Sequence, residues 1–148
     1  MQKNQNVHFM SERSDWVTPQ DLFDRLDAKY HFTLDVCASP ENAKCSRFFT
    51  LTEDGLQQTW TGICWMNPPY GRQIVKWMRK AWESAQNGAT IICLVPARPD
   101  TQWWHDYAAK GEVEFIRGRL KFSGHKHSAP FPSAIVIFRP PSSQLLLL

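Results

Sequence analysis

The sequence is poor in the features that mark special protein classes. It has four cysteines in 148 residues, Cys37, Cys45, Cys64 and Cys93, and no two form a C-x-x-C pair. A zinc ribbon is therefore not expected, and the cysteines read as reduced, which fits the cytoplasm. His125 and His127 could share a metal, but their Gly/Lys/Ser surroundings favour an exposed loop. No apolar run approaches the ~20 residues of a membrane span. The polar stretch Met1 to Asp15 has no apolar h-region and does not resemble a signal peptide. Internal repeats and an inter-domain linker are missing as well. So is a strong charge of one sign: 17 Lys+Arg against 14 Asp+Glu leave +3. Such a balance permits nucleic-acid binding without demanding it.

What is present suits one compact domain. Hydrophobic residues make up 43% and charged residues 21%, too apolar for an extended disordered chain. A chain of this size buries about 68–70% of its unfolded surface and needs no disulfide or metal staple. The expected division is a loose segment 1–14, a domain over 15–139, and a tail 140–148 that ends in the greasy run Leu145–Leu148.

Along the chain, Thr18-Pro19 opens a helix pattern, with Thr18 as N-cap, Pro19 at the first helical position and Asp21 in the first turn. Leu22, Phe23, Leu26 and Tyr30 follow at helical spacing. Phe32–Cys37 and Gly62–Met66 read as strands, with Asp54-Gly55 marking a turn between them. A helix carries Ile74, Val75, Met78, Ala81, Trp82 and Ala85 and ends at Asn87-Gly88. Thr90–Val95 is apolar throughout, as in a strand covered on both faces, and Pro96 stops it. Thr101–Lys110 reads as a helix closed by Gly111, and Glu112–Ile116 and Ser133–Phe138 as strands. Between those strands lies the basic, Gly/Pro-punctuated stretch Arg117–Pro132. Strands alternating with helices predict an α/β fold with a mostly parallel sheet and flanking helices.

In such a sheet, ligands bind at the carboxyl ends of the strands. Asp35–Ser39 and Asn67–Tyr70 fall there. In Asn67-Pro68-Pro69-Tyr70, the Asn67 side-chain oxygen and the Pro68 carbonyl are acceptors on a backbone stiffened by two prolines that cannot donate. A rigid acceptor pair can hold both hydrogens of one planar NH₂ group, and the Tyr70 ring offers a stacking face to the attached base. Held out of plane, those hydrogens free a lone pair otherwise delocalised into the ring, which is positioning and electrostatics rather than base catalysis. The plainer alternative is a Pro-Pro loop with Tyr70 at the edge of the core.

That motif resembles the catalytic motif of S-adenosylmethionine-dependent amino-methyltransferases. The wider sequence resembles the phage-type DNA N6-adenine methyltransferase (Dam) family. Ser14-Asp15-Trp16-Val17-Thr18-Pro19, Thr33-Leu34-Asp35-Val36-Cys37-Ala38, Asn42-Ala43-Lys44-Cys45, Trp65–Arg72, Leu94–Arg98, Trp103-Trp104-His105 and Ile116–Phe122 carry the likeness in the family's order. The resemblance implies a reduced Rossmann-like S-adenosylmethionine-dependent methyltransferase fold. It further implies methyl transfer from S-adenosylmethionine to the N6 of an adenine flipped out of DNA, in the cytoplasm of a bacterial host and encoded by a phage or prophage. Asn67 and the Pro68 carbonyl would grip the amine, Pro69 would stiffen the loop, and Tyr70 would stack on the base. Thr18, Pro19, Asp35, Ala38 and Asp54 would lie on the cofactor side. The glycine-rich turn usual after the first strand is replaced by Ala38-Ser39-Pro40, tolerable for a cofactor without a phosphate to cradle.

Arg117, Arg119 and Lys121 alternate along an extended segment that can contact phosphates, or can simply be a solvated edge. Arg98 points into the cleft or pairs with an acid. Trp103 and Trp104 pack in the core, or one walls the base pocket; for Asp35 the plain alternative is a strand-end cap. Neither a metal nor a membrane is expected, from the cysteine spacing and the lack of a long apolar run. Two other functions fit parts of the sequence: methylation of a glutamine amide in protein or of RNA by the same motif, and a decayed DNA-binding module. With no room for a target-recognition domain, a short or relaxed site is expected, read by loops such as Arg117–Pro132; the sequence sets neither that site nor the stoichiometry.

Overall fold

The computed structural model describes residues 16–141. The segment 1–14, expected to be loose, and the Leu145–Leu148 run lie outside that range. The elements are α1 (Gln20–Tyr30), β1 (Leu34–Asp35), a 3-10 turn (Gly55–Gln57), β2 (Ile63–Met66), α2 (Ile74–Gln86), β3 (Thr90–Pro96), α3 (Gln102–Asp106), a second 3-10 turn (Ala108–Lys110), β4 (Glu112–Phe115) and β5 (Ser133–Phe138). Their order is the one the sequence pattern predicts.

The strands form one sheet in the order β1-β2-β3-β5-β4. The β1–β2 and β2–β3 pairings are parallel, and the β3–β5 and β5–β4 pairings are antiparallel. The sheet is therefore mixed, where a mostly parallel one was expected. The reason lies in the 116–132 connection. Among its residues there is no helix to carry the chain back across the sheet, so β5 returns against β4 and fills the place between β4 and β3.

Alternation along the strands divides the core. Cys64 and Met66, then Ile91, Cys93 and Val95, then Ala134, Val136 and Phe138 face α2 and α3. Trp65, Ile92, Leu94, Ile135 and Ile137 face the other way, onto Leu22 and Phe23 of α1. Phe122 and Ala129, from the 116–132 connection, are buried on that same face. This basic stretch thus serves as a cover for half the sheet as well as a surface loop. Burying a side chain the size of Phe122 contributes about 1.5–3 kcal/mol. Cys64 and Cys93 are core residues, as expected.

Local departures have local causes. The first strand is only Leu34–Asp35, because Asp35 also bonds outward: its amide donates to the Arg47 carbonyl and its own carbonyl accepts from Phe49. The helix expected over Thr101–Lys110 breaks at Tyr107 (φ −127°, ψ −60°) into α3 and the second 3-10 turn. Pro96 closes β3 from within, paired with Ser133 at the strand's end. Thr18 is not the N-cap of α1: Pro19 holds that place, and no side chain caps the helix. An absent cap forgoes about 1 kcal/mol of helix stability, and the Thr18 hydroxyl is committed elsewhere.

The turn at Asp54-Gly55 is held against the end of β1. Asp54 (φ 56°) accepts from the Leu56 amide, and the Trp60 indole donates to the Gly55 carbonyl at 2.8 Å. A Cβ on Gly55 would lie 2.2 Å from the Val36 carbonyl oxygen and 3.1 Å from the Trp77 ring. Backbone cannot yield there as a flexible side chain would. Gly55→Ala is expected to destabilise the fold by about 2–4 kcal/mol, read as a lower urea midpoint at unchanged slope.

Candidate active site

The carboxyl ends of β1 and β2 lie side by side, with Asp35 opposite Trp65. Just beyond β2, Asn67-Pro68-Pro69-Tyr70 leaves the sheet toward α2. Two prolines cannot continue a ladder, so the sequence itself ends the strand at this point. Pro68 is buried, while Asn67, Pro69 and Tyr70 are half-buried.

The Asn67 side chain is held from both ends. Its Nδ2 donates to the Trp16 carbonyl at 2.6 Å and to Thr18 Oγ1 at 3.0 Å. Its Oδ1 accepts from the Tyr70 hydroxyl at 2.9 Å. A backbone carbonyl can only accept, so the amide nitrogen must face Trp16 and the oxygen must face away. Oδ1 keeps a second lone pair beyond the bond from Tyr70. The Tyr70 hydroxyl also lies 3.2 Å from the Leu94 carbonyl of β3, which ties the loop across two strands. Burial pushes the phenol well above its ordinary range, so it remains a donor at neutral pH.

Around this loop gathers an aromatic cluster. The Tyr70 ring meets Phe131 at 5.7 Å and Phe122 at 6.4 Å, both near-perpendicular. Trp16 contacts Phe122 and Phe131 edge-on and stacks on His125 at 4.8 Å with 9° between planes. The Arg98 guanidinium sits 5.9 Å over the Phe131 ring. Ser123 fastens the 116–132 connection to the N-terminal segment: its amide donates to the Val17 carbonyl at 3.0 Å and its hydroxyl to the Thr18 carbonyl at 3.2 Å.

Asp35 is buried beside α1 and shapes the turn that replaces a glycine-rich loop. One carboxylate oxygen accepts from the Cys37 amide at 3.2 Å, the other from the Lys44 amide at 3.0 Å. Ala38, half-buried, donates its amide to the Phe49 carbonyl at 3.0 Å. Burial raises the Asp35 pKa to about 6, partly opposed by the two amide donors and by the Lys44 charge. Lys44 itself donates to Gln20 at 2.7 Å, which joins this turn to α1.

The structure thus brings Thr18, Asn67 and Tyr70 into direct contact, with Pro68 and Pro69 between the last two. Asp35 lies on the neighbouring strand and Arg98 on the aromatic rim. Pro19 follows Thr18 at the start of α1, half-buried. Asp54 is exposed, and its carboxylate is engaged as the cap of its own turn. Arg117, Arg119 and Lys121 are exposed on the connection whose Phe122 is buried beside Tyr70. Trp103 and Trp104 lie on α3 and pack into the core, and Trp104 stacks on Phe115 at 6.2 Å. His125 is half-buried against Trp16, so only His127 of that pair is fully exposed. Among the described residues, no group of three or more His, Cys, Asp and Glu side chains is placed to hold a metal ion, and no helix is long and apolar enough to cross a membrane.

The sequence alone assigns no part at this site to the Trp16 carbonyl, Ser123, Phe122, His125 and Phe131, although Trp16 and Phe122 fall in the blocks that carry the family likeness. For Phe122 and Phe131 the further signal is the apolar set Leu120, Phe122, Ala129 and Phe131 inside an otherwise basic, Gly/Pro-punctuated stretch.

The family model for DNA N-6-adenine-methyltransferases (Dam) matches residues 6–145. A DNA N-6-adenine-methyltransferase of Haemophilus phage HP1 is 27% identical over 141 residues, covering 88% of this chain and 81% of that protein. A DNA N-6-adenine-methyltransferase of Escherichia phage T1 is 33% identical over 104 residues, covering 68% of this chain and 43% of that protein.

Asp35 gives the fold a signed pH dependence. Its raised pKa means the native state keeps a proton that the unfolded chain has lost, so the stability it contributes is full below about pH 4 and lost as pH rises through about 6. Urea midpoints from pH 4 to 7 are expected to carry a falling component of about 3 kcal/mol that Asp35→Asn flattens.

Proposed function

The chain belongs to the DNA N-6-adenine-methyltransferase (Dam) family, and from that premise we propose how its own residues serve the reaction. The chain methylates adenine N6 in DNA. We assign S-adenosylmethionine as its methyl donor. The groups near the ends of β1 and β2 suit such a molecule: the carboxylates of Asp35 and Asp54, the Asn67 oxygen and a Pro-Pro backbone without donors favour a cation that carries hydroxyl and ammonium groups. When bound, that donor supplies an electrophilic methyl group. Pro19, Asp35, Ala38 and Asp54 are the proposed residues on its side, along the reduced, Rossmann-like methyltransferase core that we assign to residues 15–139.

The target adenine leaves the duplex, at a cost of about a few kcal/mol, to reach the loop beyond β2. Asn67 Oδ1 and the Pro68 carbonyl accept its two N6 hydrogens, Pro69 keeps the loop rigid, and the Tyr70 ring lies against the base. The observation that carries this reading is the orientation of the Asn67 amide. Its nitrogen is saturated by Trp16 and Thr18, so its oxygen is left as the acceptor, with one lone pair beyond the bond from Tyr70. With both N6 hydrogens held by fixed acceptors, the amine's lone pair is directed away from ring conjugation toward the methyl carbon. Arg98, Arg117, Arg119 and Lys121 are the proposed phosphate contacts. The working compartment is the cytoplasm of a bacterial host, with the gene on a phage or prophage.

Two outcomes are expected. Sequencing that maps N6-methyladenine in DNA co-expressed with the chain should find the mark, and Asn67→Ala should abolish it. Replacing Arg117, Arg119 and Lys121 together by Ala should weaken DNA binding across all sequences and flatten the log–log salt dependence by about 2–3. An unchanged slope would remove these residues from the phosphate interface.

A further inference from the structure

We propose that Thr18 is a positioning residue that sets the Asn67 amide for catalysis, rather than a contact to the methyl donor. The proposal rests on the reading that Asn67 grips the N6 amine. Three observations support it. The Thr18 side chain is nearly inaccessible at 2%, and its Oγ1 lies 3.0 Å from Asn67 Nδ2. Thr18 immediately precedes Pro19, the N-cap of α1, yet its hydroxyl makes no capping bond to the helix and is engaged with Asn67 instead. Its carbonyl is held from behind by the Ser123 hydroxyl, and the preceding Val17 carbonyl by the Ser123 amide, so the segment 16–18 presents two fixed acceptors to one NH₂ group.

The Trp16 carbonyl decides which way the amide faces; Thr18 takes up the second N–H. With one acceptor alone the amide can swing about its remaining bond. With two, its plane is fixed, and so is the direction of Oδ1. Donation of both N–H bonds also shifts amide electron density onto Oδ1, which strengthens it as an acceptor by the cooperativity of linked hydrogen bonds. Neither effect requires Thr18 to touch substrate or donor.

Steady-state kinetics of the full chain on duplex DNA with S-adenosylmethionine tests this, with Thr18→Val, Thr18→Ser and Asn67→Ala compared. Thr18→Val is expected to lower kcat by about 10–100-fold with KM for DNA and for the donor little changed, the mark of a lost transition-state geometry. Thr18→Ser keeps the hydroxyl and should restore kcat to within about threefold of the parent. A second readout needs no turnover. In ¹⁵N-labelled protein the Asn67 side-chain amide, assigned by its absence in Asn67→Ala, should show two slowly exchanging N–H signals, one of which exchanges fast in Thr18→Val. If Thr18→Val does not fold, Thr18→Ala takes its place with the same expected results.

A Thr18→Val enzyme with parental kcat overturns the proposal, as does a loss confined to KM for the donor, a Thr18→Ser enzyme no better than Thr18→Val, or a kcat loss with the Asn67 signals unchanged. The underlying reading fails separately: it falls if Asn67→Ala still methylates adenine. An inactive Asn67→Ala beside a fully active Thr18→Val removes only the role of Thr18.

Discussion

A single side-chain amide joins the parts of this protein that lie far apart in sequence. Asn67 reaches back 51 residues to the Trp16 carbonyl and 49 to the Thr18 hydroxyl, and its oxygen accepts from Tyr70, which is itself within reach of the Leu94 carbonyl in β3. An amide has two donors on one atom and acceptors on the other, so it can satisfy such a set in only one orientation. Three segments must be in register before it can: the N-terminal strap, the loop beyond β2 and the neighbouring strand. The geometry of the proposed catalytic loop is for that reason a property of the whole carboxyl edge of the sheet. The local helix rule at Thr18 gives way to it, a conflict of the kind that collects at functional sites.

The 116–132 connection shows how a short chain does several jobs with one segment. Its Phe122 and Ala129 cover a face of the sheet that α1 alone leaves open. Its Ser123 fixes the strap at Val17 and Thr18. Its Arg117, Arg119 and Lys121 stand in solvent. These exposed basic side chains therefore sit on a loop whose other face is core and whose middle is bonded to Thr18, the partner of Asn67. Loops usually trade order for adaptability; here buried aromatics keep the anchoring half of the loop fixed and leave the charged half exposed.

Asp35 illustrates a different compromise. A carboxylate buried at the end of β1 is costly to ionise, and the rise of its pKa to about 6 expresses that cost. Two backbone amides in the turn that follows offset it in part, and in return the carboxylate organises a turn without glycine. A phosphate-cradling glycine loop is one way to shape such a strand end; a buried acid collecting amide donors is another.

Much of this was legible in the sequence, for a physical reason. Unbroken apolar runs mark Ile63–Met66 and Thr90–Pro96 as strands buried on both faces, and paired prolines force the chain out of the sheet at Asn67, so element order and the position of the Asn67–Tyr70 loop follow from local chemistry. The helix stop at Asn87-Gly88 and the burial of Cys64 and Cys93 follow in the same way. What local chemistry does not carry is the direction in which a returning strand pairs, and so the antiparallel insertion of β5 between β3 and β4 is set by the tertiary fold alone. Nor does it carry competition between partners. Thr18 looks like a cap because its neighbours in sequence need one, and only the fold supplies the Asn67 amide that claims its hydroxyl instead. Residue types and spacings determined that this chain holds a rigid pair of acceptors at a strand end. Tertiary structure alone decided which way the Asn67 oxygen points, because the atoms that orient it belong to residues about fifty positions away.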